Sequence, residues 1–389
     1  MSDIEQDLAS ALRNQPPVTA DPRIIEAVLA RIARQRKRRL AAAAAAAVFV
    51  IAVAAVAVRY GDRPARGPAG PVASRHPDPI LARIGVGPGP VGAMAALGAD
   101  VWAVTWHGDL VRIDTRTNTV TLREHIPGLA TNHAANAALA SGGGQLWLAA
   151  LSGRSVPSGQ AVVLAINPAT GHVIARVNLG GICYSENTAT NAPIISYGAG
   201  HLWVVCWAVG NSRRIVRIDP ASERPDANTG VIPGSGNEWI VAGPEGIWYS
   251  TDTTKITKVD PSGTRLTRVT VSDGYTLSLG AQLALGRGAL WALASDGTIA
   301  RIDPATGRIT RVYRSNDPNG TFGAATFAVG FGSVWVEGAA LLRLNPKTFH
   351  VQARAGPAGN GDTLTLSRGA IWIGTENGVV RVDPALVPG

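Results

Sequence analysis

The sequence lacks the residue patterns that build metal, redox and nucleotide sites. It contains two cysteines, and its seven histidines show none of the close pairings that zinc sites use. A phosphate-binding loop, a dinucleotide-binding signature and the nucleophile elbow of serine hydrolases are also missing. Local motifs therefore predict no metal, no cofactor and no catalytic residue.

The largest segment of the chain lacks a strong excess of positive charge, although the whole chain carries a net charge of +9. Residues 1–39 account for +3 of this excess, residues 59–79 for +2, and residues 80–389, with 24 basic and 20 acidic side chains, for +4. A nucleic-acid-binding domain needs basic residues clustered on one surface. The nearly balanced charge of the largest segment therefore predicts no nucleic-acid partner.

A repeated unit fills most of the chain. In each copy an apolar run ends in tryptophan, a polar turn follows, and a second apolar run leads into an Asp-Pro or related turn. The tryptophan recurs seven times, 37 to 56 residues apart, as Trp102, Trp147, Trp203, Trp248, Trp291, Trp335 and Trp372. The turn recurs in step, beginning at Ile113, Ile166, Ile218, Val259, Ile302, Leu344 and Val382. A repeat of about this length that holds four short strands is typical of a propeller blade.

The repeats predict an all-β fold, a seven-bladed β-propeller with four-stranded blades, over residues 80–389. One twisted four-stranded sheet cannot bury both of its faces alone, so neighbouring blades must cover them. The last repeat stops after Pro384 and lacks its fourth strand, whereas residues 80–87 resemble an isolated fourth strand. We expect residues 80–87 to complete the last blade, because this closure removes two exposed sheet edges.

Three segments precede the predicted propeller. Residues 1–39 contain two short helical patterns, the second with an apolar stripe from Ile24 to Ile32, and are predicted to form a cytoplasmic amphipathic helical segment. Residues 40–58 form an uncharged run of 19 residues, about the length of a transmembrane helix. Residues 59–79 are rich in proline and glycine and predict a semi-extended linker.

The basic cluster Arg34–Arg39 immediately precedes the uncharged run. Basic residues flank membrane helices on the cytoplasmic side, so the cluster predicts a single-pass cell-membrane protein with a cytoplasmic N-terminus and an extracytoplasmic propeller. The cluster is also a candidate for contact with membrane lipid, and residues 1–39 for binding a cytoplasmic protein. The alternative is a cleaved signal peptide, for which Ala55–Ala57 offers a cleavage site.

The two cysteines, Cys183 and Cys206, belong to the same predicted blade. Disulfides persist outside the cytoplasm, so an extracytoplasmic propeller predicts a bond between them. Two free buried thiols are the alternative.

The mouth of the central channel is the candidate ligand-binding site. There the starts of the seven inner strands converge, and several carry polar or aromatic side chains among small residues. The candidates are Asn136, Asn191, Asn237, Glu238, Trp239, Gln282 and Asp362. Polar residues that merely line a water-filled channel are the alternative.

Two recurring residue types have a structural interpretation. The seven repeat tryptophans are predicted to pack the blades together rather than to bind a ligand, because they keep one fixed place on the second strand. The aspartates of the turns are predicted to shape those turns rather than to bind calcium, because each turn supplies one carboxylate on a different blade, too far from the others to share an ion.

The Gly-x-x-x-Leu-Trp and Ile-Asp-Pro-Ala-Thr-Gly repeats resemble the seven-bladed propellers of the streptogramin lyase and YVTN-repeat superfamily. The resemblance implies the propeller fold and, in the lyases, a magnesium ion held by histidine and glutamate. No position 11 residues before a repeat tryptophan holds histidine, and the positions three residues after it hold Thr105, Ala150, Cys206, Thr251, Ala294, Gly338 and Thr375. The lyase active site therefore does not carry over. The layout of residues 1–58 is similar to the N-termini of membrane-bound anti-sigma factors, which implies a cytoplasmic partner.

A membrane-anchored propeller without catalytic residues predicts a binding or sensing module for an extracytoplasmic ligand or protein, with the cytoplasmic helices as a route for signalling. The alternatives are a lyase-like or hydrolase-like enzyme, acting on a small molecule or glycan at the channel mouth, and an envelope scaffold. Loop length varies mainly on the side of the ring opposite to the linker. Because variable loops on a rigid scaffold usually carry binding, we expect that side to bind and to point away from the membrane.

Overall fold

The computed structural model describes residues 78–387 of the chain, which lie within one compact unit spanning residues 74–389. Excepted from this range are residues 130–136, 153–159, 184–192, 209–211, 231, 234–238, 245, 251–254, 263–265, 271–281, 295–296, 315–325, 339 and 357–362. The predicted cytoplasmic segment, the predicted membrane helix and the linker up to residue 77 lie outside the described residues. No helix in the described part of the chain is long and apolar enough to cross a membrane.

The described residues form seven antiparallel sheets, one for each predicted repeat. Blade 1 contains β2 (Val91–Leu97), β3 (Asp100–Thr105), β4 (Asp109–Asp114) and β5 (Thr119–His125). Blade 2 contains β6 (Ala138–Gly142), β7 (Gln145–Ser152), β8 (Gln160–Ile166) and β9 (Val173–Asn178). Blade 3 contains β10 (Ile194–Gly198), β11 (His201–Ala208), β12 (Ser212–Asp219) and β13 (Arg224–Asn228), and a short β14 (Ile232–Pro233) also pairs with β12.

The remaining blades follow the same plan. Blade 4 contains β15 (Trp239–Gly243), β16 (Gly246–Ser250), β17 (Lys255–Val259) and β18 (Leu266–Thr270). Blade 5 contains β19 (Gln282–Gly286), β20 (Ala289–Leu293), β21 (Ile299–Ile302) and β22 (Ile309–Tyr313). Blade 6 contains β23 (Thr326–Gly330), β24 (Ser333–Glu337), β25 (Leu341–Leu344) and β26 (Val351–Ala355). Blade 7 contains β27 (Thr363–Ser367), β28 (Ala370–Thr375), β29 (Gly378–Val382) and, from the other end of the chain, β1 (Ile80–Ile84).

The seven sheets form a closed ring. The first strand of each blade contacts the first strand of the next, and β27 of blade 7 contacts β2 of blade 1. The N-terminal strand β1 pairs antiparallel with β29, with Ile80 opposite Val382 and Ile84 opposite Val379. The predicted seven-bladed propeller and its closure by an N-terminal strand are therefore confirmed, although the strand ends at Ile84 and not at residue 87.

Two edges of the ring are distinguished by their turns. We call the edge with the turns between first and second strands the bottom edge. The ends of the inner strands pack closely against the next blade there: a Cβ on Gly142 would clash with Tyr197, and one on Gly198 with Ala242. The Asp-Pro turns between third and fourth strands share this edge. The opposite edge, with the turns between second and third strands, is the top edge.

The core consists of seven buried apolar clusters among the described residues, one at each interface between neighbouring blades. All seven repeat tryptophans have no exposed surface. In five blades the indole N–H donates to the carbonyl five residues earlier, as from Trp203 to Gly198 at 3.0 Å. The repeat tryptophans are therefore packing residues, as predicted.

Candidate binding site

The predicted channel-mouth residues are only partly described. Trp239 and Gln282 are the first residues of β15 and β19, which are inner strands of adjacent blades, and both are half-buried at the top edge. The Trp239 backbone N–H donates to Ser250 Oγ at 3.2 Å, across the β15–β16 pair. The other candidates, Asn136, Asn191, Asn237, Glu238 and Asp362, lie outside the described residues.

The top edge also carries two aromatic residues that the sequence analysis did not single out. The chain has ten tryptophans, of which seven are the buried repeat residues. The other three, Trp106, Trp207 and Trp239, all lie at the top ends of strands. Trp106 and Trp207 each stand four residues after a repeat tryptophan, so they occupy equivalent places in blades 1 and 3.

Trp106 is held at the tip of blade 1 with 37% of its surface exposed. Its backbone N–H donates to the carbonyl of Pro90 at 2.9 Å, which ties the tip to the segment that leads into β2. Beside it, His125 Nδ1 and Asp109 Oδ1 lie 2.9 Å apart. The indole is therefore presented to solvent by a fixed turn.

Trp207 lies near the tip of blade 3, in which β11 and β12 have eight residues each. The Arg213 guanidinium lies over the Trp207 ring, 3.0 Å from its centroid, and the two residues are opposite each other across the β11–β12 pair. Arg213 is 1% exposed and its Nη1 donates to the carbonyl of Ser212 at 3.1 Å. A cation stacked on an indole in this way gains attraction from the negative ring face.

The predicted disulfide is present and lies directly below this tip. Cys183 and Cys206 are bonded with their Cα atoms 5.6 Å apart, and Cys206 precedes Trp207. Arg214 Nη1 also donates to the carbonyl of Ile182, at 3.2 Å. The disulfide fastens the segment that follows blade 2 to β11, which carries Trp207, and the Arg214 hydrogen bond fastens the same segment to β12, the partner of β11. The Trp207 side chain therefore stands on a rigid support.

The aspartates whose pKa values are shifted lie on the bottom edge. Backbone N–H groups of Arg116 and Thr117 hold the pKa of Asp114 below its ordinary value, and Ala221 and Ala305 do the same for the pKa of Asp219 and Asp303. These aspartates shape the bottom turns, as predicted. Within the described ranges, no cluster of three or more His, Cys, Asp or Glu side chains is placed to hold a metal ion.

The described part of the top edge therefore offers binding chemistry. Tryptophan is among the residues that dominate protein-binding interfaces, because it combines a large apolar area with a hydrogen-bonding group. The sequence signal for Trp106 and Trp207 was available: both fall outside the seven-fold repeat.

Comparison with known proteins finds a matching repeat family of unknown function. Residues 225–341, less than a third of the chain, match a family model described as a repeat of unknown function (DUF6923). The match runs from β13 to the start of β25. No curated protein matches the sequence.

Solved structures are similar at low sequence identity. BamB from Moraxella catarrhalis is 14% identical, with 75% of this chain and 80% of that chain covered and a TM-score of 0.46. The computationally designed Ika8 protein is 13% identical, with 78% of this chain and 99% of that chain covered and a TM-score of 0.52. At these identities the likeness concerns the fold alone.

Proposed function

We propose that the chain is a single-pass membrane protein whose extracytoplasmic propeller binds another protein through its top edge. The propeller is a closed, rigid ring, and such rings are suited to binding and scaffolding. The uncharged run at residues 40–58, preceded by the cluster Arg34–Arg39, supports the membrane anchor and the orientation. Residues 1–39 would then carry the signal to a cytoplasmic partner.

The observation that carries the proposal is the placement of the tryptophans outside the repeat. All three lie on the top edge, whereas the chain enters the ring at the bottom edge, where the backbone N–H of Asp383 donates to the carbonyl of Pro79 at 2.8 Å. An anchored ring would therefore turn Trp106 and Trp207 away from the membrane. An indole costs little conformational entropy to immobilise and buries a large area, which suits a protein partner.

The test is site-specific photo-crosslinking of the full-length protein in its own membrane. A photoreactive residue at His107, exposed beside Trp106, should give adducts with another protein, and the same residue at Ala169, exposed on a bottom turn of blade 2, should give few. In the background Trp106→Ser with Trp207→Ser, the His107 adducts should be lost while the protein level stays unchanged. Equal adducts from both positions, or adducts that persist in the double variant, would contradict a top-edge site.

The membrane topology has a separate test. Protease added to intact spheroplasts should digest the propeller and leave residues 1–39 protected. A mature protein that begins near Val58 would show a cleaved signal peptide instead of an anchor.

A further inference from the structure

Three neighbouring blades present large side chains at the tips of their bottom-edge turns. In blades 5, 6 and 7 the first turn residue is Arg287, Phe331 or Arg368, and all three side chains are exposed. Their φ angles are 54°, 47° and 45°, and each is followed by a glycine that also has a positive φ. These are the left-handed, two-residue turns that fit the twist of a β-hairpin.

Such turns normally favour glycine or asparagine at this position. A bulky residue with positive φ is uncommon, because its Cβ crowds the following carbonyl oxygen. The corresponding residues of blades 2 and 3 are Gly143 and Ala199. Strained positions that persist without a packing role point to function, and Phe331 is 39% exposed rather than packed in the core.

Positive charge is concentrated around the same three turns. Arg308 and Lys347, in the bottom turns of blades 5 and 6, are exposed as well. Three carboxylates share this edge with the basic residues. Asp303 Oδ1 accepts the backbone N–H groups of Ala305 and Thr306, Asp383 Oδ1 accepts that of Ala385, and Asp78 Oδ1 accepts that of Ile80. The exposed cations Arg287, Arg308, Lys347 and Arg368 outnumber them. The bottom edge of blades 5–7 is therefore a basic surface with one aromatic side chain at its centre.

The tips of blades 5 and 6 lie beside each other. The Arg287 guanidinium extends to the turn of blade 6, where its Nη1 would be 3.9 Å from a Cβ placed on Gly332. It therefore lies beside the turn that carries Phe331. Arg368 lies in blade 7, the blade that β1 completes.

The chain from the predicted membrane helix enters the ring in this sector. Ile80 lies opposite Val382 at the bottom end of blade 7. Residues 61–79 reach at most roughly 60 Å when extended, at about 3 Å per residue. If residues 40–58 span a bilayer, the bottom of blades 5–7 is held near its surface.

We propose that this surface, formed by Arg287, Arg308, Phe331, Lys347 and Arg368, docks on anionic phospholipid headgroups. The basic side chains pair with lipid phosphates, and Phe331 enters the boundary between headgroups and acyl chains. The orientation of the docked ring rests on the proposed membrane anchor, whereas its contacts with lipid headgroups do not depend on that anchor. It fixes the ring on the membrane with the top edge outward, beyond what a flexible linker alone would do.

The test uses the full-length chain reconstituted in vesicles of phosphatidylcholine, with or without phosphatidylglycerol. A donor fluorophore on Thr306→Cys, an exposed bottom residue, reports energy transfer to acceptor-labelled lipid, and the same fluorophore on His107→Cys reports the top edge. We expect transfer from residue 306 to rise with phosphatidylglycerol and fall with added salt, and transfer from residue 107 to stay low.

The decisive variant replaces Arg287, Phe331 and Arg368 with glycine. Glycine suits the positive φ of these turns, so the ring should remain folded. The ratio of docked to free rings should fall about fivefold for each arginine removed. The matched control, Arg116→Gly on the bottom edge of blade 1, removes a cation that already pairs with Asp114 at 3.3 Å and should change little.

The outcomes separate the two proposals. If the chain resists alkaline extraction, but energy transfer from residue 306 is the same with and without phosphatidylglycerol and is unchanged in the triple variant, the docking is wrong and the anchor stands. If the chain is extracted, the anchor is wrong, and salt-sensitive flotation with phosphatidylglycerol vesicles, lost in the triple variant, still supports the docking. Extraction without such flotation overturns both. Higher transfer from residue 107 than from residue 306 overturns the docking.

Discussion

Lys258 Nζ donates a hydrogen bond of 3.1 Å to the carbonyl oxygen of Pro304, which lies in the bottom turn of the next blade. The same ammonium lies 5.0 Å from the ring centroid of the buried Trp248. Two further pairs repeat this contact between neighbouring blades, Arg112 with Pro168 and Arg217 with Pro261. One basic residue thus covers the tryptophan of its own blade and ties that blade to the next.

Replacing Lys258 with methionine tests this tie. The stem of the side chain is kept, whereas the hydrogen bond to Pro304 and the attraction to Trp248 are lost. We expect the free energy of unfolding to fall by about 1–2 kcal/mol, measured by denaturant titration. Lys258→Arg should retain most of the stability, and a methionine variant as stable as the parent would show that the contact contributes nothing.

Gly198 has no room for a side chain. A Cβ there would collide with the backbone of Ala242 in the next blade, which cannot move aside as a flexible side chain could. Gly198→Ala should therefore destabilise the protein by about 1–3 kcal/mol. The matched control is Gly230→Ala, because no atom lies within 4 Å of its added Cβ. Equal melting temperatures for the two variants would contradict this packing.

The aspartates of the bottom turns make stability depend on pH. Backbone N–H groups lower the pKa of Asp114, Asp219 and Asp303 below 3.8 in the folded chain. Their stabilising contribution is therefore complete above the unfolded pKa and is lost as the pH falls through the lower, folded pKa. We expect the midpoint of urea unfolding to drop below about pH 4.

Asparagine offers the control for this pH dependence. Asn345 occupies the same turn position in blade 6, and its Oδ1 accepts the backbone N–H of Lys347 at 2.8 Å. Replacing all three aspartates with asparagine should keep the turns. In that variant the midpoint of urea unfolding should fall less steeply as the pH is lowered below about 4. An equally steep fall in that variant would assign the loss to other groups.

The Cys183–Cys206 disulfide should stabilise the top of blade 3. Its residues are 23 apart, and a loop of this length contributes roughly 3 kcal/mol in the chain-entropy model. Reduction, or the double change to serine, should lower the free energy of unfolding by a similar amount in both cases. Thiol labelling of the denatured, unreduced protein should find no reactive cysteine, and two labelled thiols would rule out the bond.

The fold was predictable because two independent signals keep the same phase. The repeat tryptophans and the Asp-Pro or related turns each recur seven times, and their matched spacing leaves little choice of architecture. The closing strand was predictable because the last repeat lacks a strand. Its end was misplaced because residues 85–87 look extended in sequence, whereas the partner strand β29 begins at Gly378, one residue before the partner of Ile84.

The candidate site was less predictable, for physical reasons. Counting back from the tryptophans put Trp239 and Gln282 beside the starts of two inner strands, and β15 and β19 begin at these two residues. The exposure of Trp106 depends on where neighbouring loops end, which no local pattern encodes. The turns at Arg287, Phe331 and Arg368 were missed as special positions because positive φ is signalled in sequence by asparagine or glycine, and these residues give no such signal.

The pairing of β1 with β29 sets the order of events during biosynthesis. β1 is synthesised before every blade, and its only route to a closed sheet is a strand that leaves the ribosome after all the others. Any chain that stops before Val382 therefore exposes β1 and an incomplete seventh blade, and unpaired strand edges invite misassembly and degradation. Ring closure in this protein therefore waits for the synthesis of its seventh blade.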